Sequence, residues 1–261
     1  MWAGTFRSNP WFEGLALAVP VALGYMPLGF AYGVLARNAG LNLTETVAMS
    51  IFVYAGSAQY IAVGMIAAGI PPSSIISTVF LVNLRHVLFS ASLAPYLRRC
   101  PSWFLGVIAG QITDETYAVA FNYYANHQAS PKLHLALNIG AHLSWVLSSL
   151  VGGLVGSFWS DPSRYGFDFA LASMFIALLL MQIRPPSSEK TKVEASPSRN
   201  KSLQLHLRVV VAVVAFLVSL GIAVAVGGNW NILGGTVVAA TLGVILQRWF
   251  TKGGHKECQK E

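Results

Sequence analysis

Charged side chains are scarce in this sequence: they make up 10% of its 261 residues, against 54% hydrophobic ones. A soluble domain carries about 25% charged residues. A shortfall of that size excludes a soluble chain with an enlarged core. It points to a bilayer as solvent, because positions facing lipid are apolar too. Cysteine is nearly missing as well. Cys100 and Cys258 are the only two, which excludes a disulfide framework or a cysteine-rich metal cluster. Cys258 falls in a polar tail and reads as a free thiol. The motifs of common enzymes are absent: there is no H-E-x-x-H, no G-x-S-x-G, no G-x-x-x-x-G-K-[ST] and no spaced aspartate cluster for magnesium-pyrophosphate. The chain is therefore not expected to be an enzyme, to hydrolyse ATP, or to need a metal or cofactor. Residues 1–13 contain one basic residue, Arg7, and no compact apolar stretch with a cleavage site, so no removable signal peptide is expected.

The net charge of +7 would suit a nucleic-acid partner only if the basic residues clustered. Instead they lie between and beyond apolar segments, where they set membrane topology, so no nucleic acid is expected. Eight such segments approach spanning length, at roughly 12–36, 46–69, 73–95, 103–125, 133–157, 168–184, 203–226 and 229–249. The sixth is short and the third and fourth carry charge, so the count is seven or eight. The expected fold is an all-α integral membrane protein, a polytopic bundle of about eight transmembrane helices in one domain over 1–261. Residues 185–201, PPSSEKTKVEASPSRNK, have no apolar period and read as a disordered loop. Residues 250–261 form a short polar tail. With the N-terminus in the cytoplasm, twelve basic residues fall inside and four outside, Arg37, Arg98, Arg99 and Arg164. That imbalance predicts both termini and the 185–201 loop in the cytoplasm.

The first segment carries Pro20, Gly24, Pro27 and Gly29 at membrane depth. Each proline removes a backbone donor and clashes with the preceding turn, so a broken first helix is expected. Transporters aim such freed backbone at a substrate; a kink repaired by neighbouring helices is the structural alternative. Gly24, Tyr25, Met26 and Pro27 are candidate substrate residues on that account.

Three clusters carry polar chemistry into the apolar segments, where ionisable groups usually face a protein interior or a water-filled path. In the second segment Gly56 and Gln59 share a helical face, with Tyr54 and Ser57 beside them; these are substrate residues or a packing seam with polar glue. In the third, Asn83 and His86 share a face and Arg85 lies about 100° around from His86. Far from either end of its segment, Arg85 needs a carboxylate, from the protein or from a substrate. In the fourth, Gln111, Asp114, Glu115 and Asn122 follow i, i+3, i+4, i+11 and predict one polar stripe. Two adjacent carboxylates in a low dielectric do not both ionise freely. Asp114 and Glu115, with His86, are thus candidates for proton coupling or for binding an ammonium group, and a structural pair with Arg85 is the alternative. Asn138, His142, Trp145 and Ser149 form a further set at i, i+4, i+7, i+11 in the fifth segment, as packing partners or as a proton relay.

At these clusters the sequence resembles the AzlC family, the large subunit of bacterial branched-chain amino acid exporters. The resemblance rests on FEGLALAVPVALGYMPLGFAYG at 12–33, YAGSAQY at 54–60, LVNLRHVLFSASLAPYL at 81–97 and TDETYAV at 113–119. Order and spacing match over about the first 125 residues. Tyr54 stands where the family pattern has Phe. The resemblance implies export of hydrophobic amino acids such as valine, leucine and isoleucine, driven by an ion gradient, through the bacterial inner membrane. It also implies a small membrane partner of the AzlD type. Such a substrate has a carboxylate, an ammonium and an apolar side chain. Arg85 or the first helix could hold the carboxylate, Asp114 or Glu115 the ammonium, and Tyr25, Met26 and Tyr54 the side chain. Transport of another small zwitterion or organic acid, a membrane-embedded enzyme, and a non-transporting channel or scaffold subunit are the rival readings.

Overall fold

A computed structural model describes residues 9–98, 100–158, 163–170, 172–174, 176, 210, 213–214, 216–218, 220–221 and 224. The eighth predicted segment, most of the sixth and seventh, the 185–201 loop and the 250–261 tail lie outside the described residues. The chain divides into two compact units, Met1–Leu178 and Leu179–Glu261. In the second, the described positions are helical. Among its described residues the first holds no strand and these α-helices up to residue 155: α1 (Pro10–Asn38), α2 (Leu43–Phe52), α3 (Gly56–Ala67), α4 (Pro72–Asn83), α5 (Arg85–Leu93), α6 (Ser102–Ala109), α7 (Asp114–Asn126) and α8 (Pro131–Val155). Among the described residues, three helical stretches are long and apolar enough to cross a membrane: Pro10–Asn38, Pro72–Leu97 and Pro131–Val155.

The first helix corrects an expectation. α1 runs unbroken for 29 residues through Pro20 and Pro27. Its start is well specified: Asn9 caps the Trp11 N–H, Pro10 takes the first helical position and Glu13 lies in the first turn. Its path past the two prolines follows from what it packs on. α1 and α8 lie side by side over most of their lengths, in backbone contact. A Cβ on Gly33 would collide with the Ser149 carbonyl, and one on Gly152 with the Phe30 carbonyl. Close approach through glycine gives dispersion contacts along the whole seam, the main driving force between helices in lipid. Those contacts offset the roughly 3 kcal/mol that a mid-helix proline costs.

The contacts also fix direction. Leu15 and Ala18 meet Gly140, Gly29 meets Ser148, and Val34 meets Gly156. Position numbers rise together along both helices, so α1 and α8 are parallel. An odd number of crossings must then separate them if both span a membrane. Three helix pairs lie between them, α2–α3, α4–α5 and α6–α7, one for each predicted segment from the second to the fourth.

The interruptions expected in the first segment occur in these three instead. Residues 53–55 separate α2 from α3, with Tyr54 at φ +38°, the only described non-glycine residue with positive φ. Leu84 marks a local turn between α4 and α5 while its backbone stays right-handed helical. Residues 110–113 separate α6 from α7. Gly110 closes α6, and the Thr113 side chain opens α7 by accepting from the Thr116 N–H, in a reciprocal capping box. Two apolar cores flank the breaks. One gathers Tyr25, Tyr32, Tyr54, Tyr60 and Trp145. The other gathers Leu93, Leu97, Ile108, Ile112, Tyr124, Leu133 and Leu137.

Candidate functional site

The breaks converge on one cavity. Its wall takes Tyr54, Ala55, Gly56 and Ser57 from the α2–α3 gap, Arg85 and His86 from the start of α5, and Thr113, Asp114 and Glu115 from the start of α7. Tyr25 of α1, Trp145 of α8 and Met174 complete it. The interior volume is about 10 Å³, close to the least space that holds one water molecule. An amino acid therefore requires the surrounding helices to move apart.

The charges are distributed unequally. Arg85 Nη2 lies 2.9 Å from Asp114 Oδ2 and also donates to the Ser57 hydroxyl. This pair joins the third and fourth segments at partial burial, where an unpaired charge is costly. Glu115, the adjacent carboxylate, has no ion pair among the described residues. Instead it accepts from the Tyr25 hydroxyl at 2.7 Å. Because Tyr25 has spent its one proton there, its oxygen accepts from the Thr113 hydroxyl at 2.6 Å. The residue that caps α7 thus also holds the Tyr25–Glu115 contact. Both carboxylates stand in the first turn of α7, where the helix dipole favours negative charge.

Aromatic residues build the rest of the wall. Trp145 packs edge-on against Tyr25, ring centroids 5.1 Å apart, and donates from Nε1 to Gln59 Oε1 at 2.9 Å. Gln59 Nε2 in turn donates to Ser50 Oγ at 3.2 Å. A Cβ on Gly56 would come within 2.9 Å of the Trp145 ring, so the indole sits where only glycine leaves room. Tyr54 stacks on His142 at 3.9 Å, and the His142 Nε2–H donates to the Ser50 carbonyl at 3.2 Å.

Of the predicted site residues, the structure brings Tyr25, Tyr54, Gly56, Ser57, Arg85, His86, Asp114 and Glu115 to one cavity. Gly24, Met26 and Pro27 are exposed on the other side of α1. Gln59 is fully buried and holds Trp145 from behind, and Asn83 does not line the cavity. The predicted polar stripe is corrected: Gln111 falls in the gap before α7, so it shares no helix with Asp114, Glu115 and Asn122. The fifth-segment set splits. Trp145 reaches the cavity, His142 stacks behind Tyr54, Asn138 bonds the Ile108 carbonyl at 3.5 Å and Ser149 bonds the Trp145 carbonyl at 2.7 Å. Ala55, beside Gly56, is expected only as a small residue that allows close backbone approach, and Thr113 and Met174 are not among the expected site residues. Thr113 carries a readable signal, a threonine followed by two acidic residues at a helix start; Met174 carries none.

Among the described residues no group of histidine, cysteine and carboxylate side chains could hold a metal ion. The sequence profile of the AzlC protein family matches residues 20–159. Relatives match about two thirds of the chain. The branched-chain amino acid transport protein AzlC of Bacillus subtilis is 27% identical over 185 residues, 70% of this chain and 69% of its own. The inner membrane protein YgaZ of Escherichia coli is 28% identical over 187 residues, covering 69% and 76%. A membrane protein of Archaeoglobus fulgidus is 30% identical over 184 residues, covering 68% and 78%. No solved structure matches the chain.

Proposed function

This chain belongs to the AzlC family, and from that premise we propose that it is a secondary transporter subunit exporting branched-chain or similar hydrophobic amino acids. The Bacillus relative's name supports the substrate class. The location that follows is the bacterial inner membrane, with both termini in the cytoplasm, a small AzlD-type membrane protein as partner and the proton gradient as energy source. The chain carries a substrate rather than transforming one.

One observation carries the reading. Where three interrupted segments meet, the Glu115 carboxylate faces a cavity, bonded by the Tyr25 hydroxyl and without an ion pair among the described residues. The other carboxylate already neutralises the arginine. Glu115 is thus the group that takes up a proton or an ammonium ion, and Arg85–Asp114 is the fixed pair that holds the segments in register. The aromatic wall of Tyr25, Tyr54 and Trp145 suits an apolar side chain. Backbone interruptions at such depth are tolerated where they line a cavity, and broken helices around a central site are the pattern of alternating-access carriers. The small interior volume fits a closed conformation of such a carrier.

The test is counterflow of labelled leucine, isoleucine and valine into liposomes holding the purified chain, with and without its partner, at imposed pH gradients. Saturable exchange accelerated by a gradient that is acidic on one side is expected. Absence of exchange for all three, with partner present, overturns the reading.

A further inference from the structure

The start of α3 brings main-chain N–H groups with no intrahelical acceptor to the cavity wall, while the Ser57 side chain there accepts from Arg85. Its first N–H to find a main-chain carbonyl is that of Gln59, on Ala55 at 2.9 Å. Those of Gly56, Ser57 and Ala58 come before it and have no intrahelical acceptor. The N-cap residue, Ala55, has no side chain to bond them. A helix start of this kind is electropositive by about half a charge. A second, independent observation lies beside it. Tyr54 is 4% exposed, lines the same cavity, and its buried hydroxyl has no hydrogen-bond partner. The Tyr25 hydroxyl is committed to Thr113 and Glu115. A buried donor left unmade costs about 1–3 kcal/mol, so this hydroxyl awaits an acceptor.

Arg85, the obvious anion binder in the sequence, is already engaged by Asp114 and Ser57. The described charges on the wall are then one cation and two carboxylates. No described wall group is the acceptor these donors lack, and an anionic group arriving from outside would satisfy the hydroxyl and the electropositive helix start together.

We propose that the carboxylate of the transported amino acid docks on the N–H groups of Gly56, Ser57 and Ala58 and on the Tyr54 hydroxyl, and not on Arg85. This deepens the transport reading and rests on it. The substrate is held between two poles, its carboxylate at the start of α3 and its ammonium at Glu115. Gly56 contributes twice, since the missing side chain makes room for Trp145 and leaves the helix start bare.

The test is titration calorimetry on the full-length chain together with its small membrane partner, in detergent, with two probes, L-leucine and L-leucinamide, which keeps the ammonium and side chain but lacks the carboxylate. The wild type is expected to bind leucine at least tenfold more tightly. Tyr54→Phe keeps the ring stacked on His142 and removes only the hydroxyl. It is expected to weaken leucine about tenfold, as for a lost hydrogen bond to a charged group, and to leave leucinamide unchanged. Substituting 3-fluorotyrosine at position 54 retains the hydroxyl but changes its donor strength, so leucine affinity shifts and leucinamide affinity does not, even if the Phe variant folds poorly. An unchanged leucine-to-leucinamide ratio in both variants overturns the assignment. So does loss of that ratio in Arg85→Gln with Asp114→Asn while Tyr54→Phe behaves as wild type, which puts the carboxylate on Arg85. A wild type that binds neither probe removes the transport reading itself, and that result is separable from the others.

Discussion

At the scale of single residues, the two carboxylates of α7 have different partners and should fail differently. Asp114→Asn leaves Arg85 partly buried beside a neutral amide, a change that costs about 3–5 kcal/mol in a buried pair. We expect a lower melting temperature and poorer yield. Glu115→Gln preserves a hydrogen-bond acceptor for Tyr25 and breaks no ion pair, so folding is retained. Its transport should fall about a hundredfold, within the range for removal of a proton-transferring group. Arg85→Leu combined with Asp114→Asn should recover the folded yield, because both charges leave together, and still transport poorly. The checks are melting curves and leucine export at matched expression. Near-normal export by the triple variant that adds Glu115→Gln reduces all three residues to a structural pair and moves the site elsewhere. The contact between Arg85 and an acid at the same depth was readable in the sequence, because an intramembrane arginine demands a carboxylate. Which of two neighbouring acids it takes was not. That choice depends on Tyr25, 90 positions from Glu115, and on the Thr113 cap that fixes the phase of α7.

At the scale of elements, the question is which helices break and why. Composition pointed to α1, since prolines and glycines are the ordinary breakers. α1 nevertheless stays whole, because its small residues pack against α8 and the intact seam outweighs two lost backbone bonds. The real breaks are marked by quieter signals. Gly110 ends α6 and Thr113-Asp114-Glu115 begins α7, a cap followed by acidic first-turn residues. The turn at Tyr54 has no such marker, since a tyrosine with positive φ is dictated by tertiary context and not by propensity. Two expectations follow. Pro27 is exposed and does not line the cavity, so Pro27→Ala should export at close to the wild-type rate; a fall of tenfold or more would restore the broken-helix view of α1. Thr113→Val removes the α7 cap and the hydroxyl that Tyr25 accepts from. Its stability should drop by about 1 kcal/mol, and export should fall further than that loss of folded protein explains, as measured by export normalised to monodisperse protein.

At the scale of the whole molecule, direction is the property that joins sequence to structure. Basic residues predict a cytoplasmic N-terminus, but most of that bias comes from the last third of the chain and leaves the front half weakly oriented. The parallel seam of α1 and α8 supplies what the charge count lacks. Two parallel membrane-spanning helices cross in the same sense, so an odd number of crossings separates them, and we expect three, one each for α2–α3, α4–α5 and α6–α7. On that path residues 39–42 and 100–101 are expected to face one side, and residues 69–71 and 127–130 the other. With the N-terminus in the cytoplasm, the first pair of turns is external. Composition shows that a bilayer is the solvent and roughly where the segments lie, but sidedness over this region needs a tertiary contact between positions more than a hundred residues apart. The measurement is labelling of intact cells with an impermeant thiol reagent, in a chain carrying Cys100→Ser and Cys258→Ser. Cysteines placed singly at Gly40 and Ser102 should react from outside, and those at Gly69 and Ala129 only after permeabilisation. The native Cys100, restored alone, should behave like the first two. If Gly40 and Gly69 label from the same side, α2–α3 does not cross, the three-crossing path between α1 and α8 fails, and the cavity at the meeting of the breaks loses its place at membrane depth. If all four labels are inverted together, the path stands and only the orientation is reversed, which would turn the proposed export into movement through the same site with its faces exchanged.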